Sequence, residues 1–183
     1  MGISDVGVEL LPEIMQLGLG QAVQWPDRAL IRRGLPEWSG DDYVNGWDMV
    51  KLYGSANCVL LTSGGEGCGL PLLEGASCGV PGVTTDYAAG PEYVGPGLAV
   101  PWKDYVILNS MGTRYALADI DKTAEALASI MNADSKKLGR KCRTFAERYS
   151  YENVMAQHWK PFLDECELEL KPRFVKGEVK TWD

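Results

Sequence analysis

Several things are scarce in this sequence, and each scarcity narrows the function. His158 is the sole histidine; beside Trp159 in a helical stretch, it reads as a solvated residue rather than a catalytic base. The five cysteines, Cys58, Cys68, Cys78, Cys142 and Cys166, form no CxxC pair. An odd set without metal-ligand spacing points to reduced, mostly buried thiols and to a cytoplasmic protein. No apolar run approaches the ~20 residues of a membrane span, and residues 1–9 lack the basic region and apolar core of a signal peptide. Positive charge is short as well. Net charge is −7, so no nucleic-acid partner is expected. The one basic run (Lys136, Lys137, Arg140, Lys141 and Arg143) has helical spacing and reads as a solvated face rather than a phosphate or lipid-headgroup site. Internal repeats and low-complexity segments are absent.

What is present is an ordinary globular composition. The chain is 45% hydrophobic and 23% charged over 183 residues, enough for one core burying roughly 70% of the unfolded surface. Glycine is abundant, at 21 residues, and falls between apolar runs, as tight strand-to-helix turns require. The pattern predicts a helix over 8–17, with Pro12 in its first turn, a strand over 21–25 and a loop over 27–40. A further helix is expected to run from a cap at Asp41 or Asp42 to Ser55, with Val44, Trp47 and Leu52 on its apolar side.

From there the alternation is clearer. Asn57–Thr62 is a continuous apolar run of strand length, as in a parallel strand covered on both faces. Ser63–Gly69 is a glycine loop. Leu70–Cys78 is a helix with Pro71 in its first turn and Gly79 at its end. Val80–Thr85 is the next strand and Gly97–Val100 another, giving a right-handed βαβ unit. Beyond Pro101 an irregular stretch is expected, then helices over 121–131, 134–149 and 151–167. The fold class is therefore α/β, a Rossmann-like parallel sheet with flanking helices. One domain is expected over 1–167, followed by a tail over 168–183.

The chemistry concentrates in Ser63-Gly64-Gly65-Glu66-Gly67-Cys68-Gly69-Leu70-Pro71-Leu72-Leu73-Glu74. Parallel α/β sheets bind ligands beyond the carboxyl ends of their strands, where this loop is predicted to lie. Glycines allow close backbone approach, and the first N–H groups of the next helix face an anion with the helix dipole behind them. A diphosphate suits that setting. Glu66 then lies beside the anion, and Glu74, about a turn into the helix, can accept hydrogen bonds from the two hydroxyls of a ribose. Spacing alone leaves open that Glu66 caps a helix and Glu74 is a solvated face residue.

The run from Leu52 to Val94 resembles the donor-binding domain of the family 4 retaining glycosyltransferases of the GT-B fold. The resemblance rests on Glu66, Gly67, Gly69, Leu70, Pro71, Glu74, Gly79, Pro81, Asp86 and Glu92; weaker similarity extends from Val8 to about Phe162. It implies an enzyme that moves a sugar from a nucleoside-diphosphate sugar to an acceptor hydroxyl with retained anomeric configuration. It assigns Glu66 to the transferred sugar, as the catalytic residue that steadies positive charge at the anomeric carbon. Glu74 falls to the ribose hydroxyls, and the backbone about Gly65, Gly67, Cys68, Gly69 and Leu70 to the diphosphate and sugar. No metal and no cofactor are implied. The family usually has an aromatic residue where Cys68 stands, and alanine is common where Gly75 stands; glycine there is expected to loosen the helix by about 1 kcal/mol.

A GT-B enzyme has two Rossmann-like domains, so the chain is expected to hold an incomplete C-terminal one. The family's upstream phosphate-binding Arg and Lys have no counterpart in residues 1–20, and Arg32 and Arg33 read as loop surface. A missing central strand leaves an apolar edge beside the Asn57 strand, which invites a homo-oligomer or a separately encoded N-terminal half. The alternatives are a non-catalytic nucleotide-sugar-binding module, a GT-B isomerase that lacks this glutamate pair, and a glycosidase. The last needs two carboxyls ~5–9.5 Å apart across one bond, and an anion-binding loop is the wrong setting. Trp25, Trp38, Trp47, Trp102, Trp159 and Trp182 read as packing residues, and the sequence leaves Lys103 and Arg114 unassigned.

Overall fold

The computed structural model of the protein describes residues 10–23, 43–44, 47–107 and 112–175. The chain divides into two units, Met1–Met49 and Val50–Asp183.

In the first unit, α1 (Leu10–Gln16) ends where Gly18 takes φ 70. The Leu19 N–H returns to the Ile14 carbonyl at 2.9 Å and the Gly18 N–H to Met15 at 3.1 Å, the paired bonds of a Schellman motif. The strand expected over 21–25 is not formed in its described part, 21–23. There Ala22 and Val23 both donate to the Leu19 carbonyl, a turn that continues the helix stop. The loop expected over 27–40, with Arg32 and Arg33, lies outside the described residues, as do Trp25 and Trp38. The helix expected from Asp41 or Asp42 to Ser55 is formed over Met49–Ser55 and corrected before that. β1 (Tyr43–Val44) and β2 (Trp47–Asp48) pair antiparallel, Val44 opposite Trp47. Asn45-Gly46 between them is a strong hairpin signal that outweighs helical spacing.

The second unit opens with α2 (Met49–Ser55), then β3 (Val59–Leu61), α3 (Leu70–Ser77), β4 (Gly82–Thr85), α4 (Gly90–Tyr93) and β5 (Leu98–Val100). The three strands form a parallel sheet in the order β3-β4-β5, with Leu60 opposite Val83 and Thr84 opposite Ala99. All four residues of central β4 are buried. On one face Val83 and Val100 form a core with Ala126 and Ile130 of α5 (Ile120–Met131). On the other, Gly82 sits under Leu72 of α3 and Thr84 against Gly90 of α4. The parallel sheet with helices on both faces is the Rossmann-like α/β arrangement expected. β3 has no strand on its outer side among the described residues, and Leu60 there is half exposed.

Gly75 is not a loosening residue. It is buried, and a Cβ there would stand 2.5 Å from Val59 Cγ2 and 3.5 Å from the Val80 carbonyl. Valine cannot easily turn its methyl aside, being stiff at χ1. Gly75→Ala is therefore expected to destabilise the chain by about 1–3 kcal/mol through overpacking, despite alanine's better helix propensity. A fall in the urea midpoint checks this, and a rise would show that helix propensity wins.

The stretch after Pro101 is not irregular. β6 (Trp102–Ile107) and β7 (Arg114–Ala118) form an antiparallel ladder with a register shift between Trp102 and Asp104. β6 is exposed along its length, so no burial alternation marks it in the sequence. Its aromatic and branched residues carry the strand preference instead. α5 starts at its cap, Asp119, which accepts the Lys122 N–H at 3.1 Å. α6 (Ser135–Glu147) starts at Asp134, which accepts the Lys137 N–H at 2.9 Å. After α7 (Tyr151–Val154), a π-helical turn over Met155–Trp159 interrupts the expected continuous helix. α8 (Lys160–Val175) then runs past the expected end at Glu167. His158, within the π turn, is exposed. Among the described residues, no helix is long and apolar enough to cross a membrane.

Candidate functional site

The glycine loop leaves the carboxyl end of β3 and is held at two points. Gly64 offers its carbonyl to the Ala116 N–H of β7 at 2.9 Å, and Glu66 offers its own to the Ala89 N–H at 3.2 Å. Gly64 is required by the first contact, because a Cβ there would fall 2.7 Å from Tyr115 Cβ and 3.1 Å from Tyr115 Cα. Gly65 and Gly67 are exposed. Neither Gly64 nor Gly67 has a left-handed backbone, but Gly67, unlike Gly64, has no described residue beyond its chain neighbours within 4 Å of the Cβ position. Gly69 caps α3 at φ 66, ψ 45, a conformation that costs other residues about 1–2 kcal/mol.

The helix start is narrower as an anion site than the sequence predicts. Pro71 has no N–H, and the Leu72 N–H is taken by the Gly69 carbonyl at 2.9 Å. Among the described residues, the N–H groups of Gly67, Cys68, Gly69 and Leu70 donate to no backbone acceptor, so the open donors lie mostly in the loop. At the carboxyl ends of β3 and β4, the hydroxyls of Ser63 and Thr85 are buried with no partner among the described residues. Buried hydroxyls left so cost about 1–3 kcal/mol each.

The two glutamates are held differently. Glu66 is half-buried. Glu74 is exposed and accepts a 2.6 Å hydrogen bond at Oε2 from the Tyr53 hydroxyl of α2. Burial, then this bond and the carboxylate's charge, push the Tyr53 hydroxyl well above its usual range, so tyrosine is the donor. The other carboxylate oxygen, Oε1, makes no such contact among the described residues. Glu74 and Leu70 line an open groove of about 630 Å³ between α3 and α6, opposite Arg143 and Glu147. Glu66, Gly65, Gly67, Cys68 and Gly69 are not in its lining. Only Leu70 and Glu74 of the predicted site residues share it.

Residues 21–132, more than half of the chain, match the model of the family described as glycosyl transferases group 1. The chain belongs to that family. It is also 45% identical over 53 residues to the O-antigen chain mannosyltransferase B of Escherichia coli, a stretch of 29% of this chain and 14% of that protein. The match thus spans a small part of that relative's length.

Within this group 1 glycosyltransferase chain, three features of the site were not foreseen. Tyr53 stands 21 positions before Glu74, and no local signal joins them. Cys68 faces Tyr93, whose hydroxyl is held above its usual range by Glu92 first, and by burial and the Cys68 thiol after it. Tyr93 in turn packs 5.5 Å from Tyr149, so aromatic rings gather beside a position where an aromatic side chain is missing. Finally, Asp119 and Asp121 stand at Asp-x-Asp spacing, which can hold a divalent cation. Here Asp119 caps α5, and both carboxylates meet Lys103, at 3.2 and 3.6 Å. Lys103 is thereby assigned to an ion pair. Arg114 lies over the Tyr105 ring at 4.8 Å.

Proposed function

We propose that this chain supplies the donor-binding part of a retaining glycosyltransferase, which takes a sugar from a nucleoside-diphosphate sugar to an acceptor hydroxyl. The carrying observation is Gly67: among the described residues neither backbone conformation nor packing requires a glycine there, yet it lies among loop amides that have no backbone acceptor. A ligand that needs close approach to those amides supplies the reason. In the proposed reaction the bond from the anomeric carbon to the diphosphate oxygen breaks, and its electron pair stays on the diphosphate. The acceptor oxygen then bonds the anomeric carbon on the same face and passes its proton to the departing diphosphate oxygen. Amides at Cys68, Gly69 and Leu70 stabilise the charge gathering on the leaving group. Glu66 offsets the positive charge left on the sugar. Glu74, steadied through Oε2 by Tyr53, turns Oε1 to the ribose.

The domain is proposed to run over 1–167, with the remaining residues as a tail, and to work against an N-terminal half or a second copy across the exposed β3 edge. Because one relative is named a mannosyltransferase, a nucleoside-diphosphate mannose is the first donor to test. Titration calorimetry of the whole chain against such donors is expected to detect binding, and Glu74→Ala to weaken it by about 1.5–3 kcal/mol, as for a hydrogen bond to a charged group. Equal affinity in the two proteins would remove Glu74 from the ribose.

A further inference from the structure

Helix α6 carries a second, chemically different surface. Lys137, Arg140, Lys141, Thr144 and Arg148 recur at helical spacing on one side, away from the Arg143 and Glu147 side that lines the Glu74 groove. With Pro91, Glu92, Gly95 and Pro96 across from them, they line an open groove of about 830 Å³. Six of the chain's 18 cationic residues fall between Lys136 and Arg148, with Glu147 the one carboxylate among them. In a molecule of net charge −7, this is a local reversal of sign. Among the described residues, Lys137, Arg140 and Lys141 enter no ion pair. Glu92 is the single acid in the groove's lining.

Two observations select the ligand. From Lys137 to Arg148 the cations span about 16 Å at 1.5 Å per residue. Lys137, Arg140 and Lys141 stand within one turn; Arg148, the residue after α6, lies about 10 Å further on, where its Nε donates to the Phe145 carbonyl at 3.4 Å. Such a spread does not converge on one phosphorus atom, as a small-anion site does; it matches an array of charges. The aromatic ring at the groove, Phe145, is covered by the Arg148 guanidinium at 4.7 Å and tilts against Tyr149. It also packs against Gly95, where a Cβ would fall 2.5–2.7 Å from three ring atoms. No open ring face remains to stack a nucleobase. We propose that this face of α6 docks the domain on an anionic membrane surface, with the Lys137–Arg148 row against the lipid phosphates. The proposal is independent of the donor-site reading, since none of the glycine loop takes part in it.

The test is co-sedimentation of the whole chain with vesicles of phosphatidylglycerol and phosphatidylcholine in equal parts, against phosphatidylcholine alone. Binding is expected to the first only and to fade with added salt. Arg140→Gln/Lys141→Gln is expected to lower the partition about twenty-five-fold, at roughly five-fold for each basic side chain near an anionic surface. Both positions are exposed, so its thermal midpoint is expected to equal wild type. A control pair elsewhere, Lys122→Gln/Lys160→Gln, removes the same charge and is expected to bind nearly as wild type. Equal losses in the two variants would reduce the effect to net charge and overturn the proposal. So would binding to the neutral vesicles, displacement by dilute inorganic pyrophosphate, or a single-stranded RNA bound as tightly with the same loss in the first variant.

Discussion

Gly67→Val is expected to leave the chain as stable as wild type and to weaken its binding of a nucleoside-diphosphate sugar by about a hundred-fold or more, ~2.7 kcal/mol. Both halves of that expectation come from the same position. Among the described residues the new side chain enters open space, with nothing beyond its chain neighbours within 4 Å of its Cβ and no left-handed backbone to strain. Exposed substitutions of that kind change stability by about 0.5 kcal/mol or less, and loss of glycine's freedom in the unfolded chain acts in the favourable direction. The ligand is affected differently, because branched methyls at 67 would stand between it and the adjacent amides of Cys68, Gly69 and Leu70. Unfolding curves and calorimetry on one preparation separate the effects. Wild-type affinity in a fully folded variant would mean that the loop faces no ligand at this point.

The second large effect is structural. Leu72→Ala is expected to cost about 2–5 kcal/mol, as for a buried leucine whose site cannot collapse. Leu72 is 1% exposed and fills the space over Gly82, where a Cβ would come within 2.6 Å of Leu72 Cδ2. That complementarity gives a sharper test than the single variant. Gly82→Ala alone is expected to destabilise by overpacking, whereas in the Leu72→Ala background the same methyl enters the space just vacated. The double variant should therefore be more stable than the sum of the two losses by roughly 0.5–3 kcal/mol. Simple additivity in urea titrations would show that the two positions do not share one packing site.

How far the fold was legible follows from where burial writes a pattern. β3, α3, β4 and β5 were readable within two residues because β3 lies in a continuous apolar run, β4 and β5 are short apolar and β-branched segments between glycines and prolines, and α3 carries its own punctuation in Pro71 and Gly79. β6 was not, since a strand exposed along its length leaves no alternation. The helix expected over 41–55 forms only over Met49–Ser55, because the Asn45-Gly46 turn signal outweighs the apolar spacing before it. For the site, the glycine loop and both glutamates were visible as local sequence. Their surroundings were not: Tyr53 reaches Glu74 from another helix, and the reason for Gly75 is a methyl on Val59. Gly64 and Gly67 look alike in the sequence, yet one is fixed by a neighbouring strand and the other by nothing among the described residues.

The far end of α3 carries one more consequence. Arg143 of α6 donates to the Cys78 carbonyl at 3.3 Å, and Gly139 lies so close to the same helix end that a Cβ would be 2.9 Å from the Gly79 carbonyl. Two backbones meeting without side chains between them have no cushion to deform. The helix that bears Glu74 is thus riveted to the helix that bears the cation row, and neither can swing without carrying the other along.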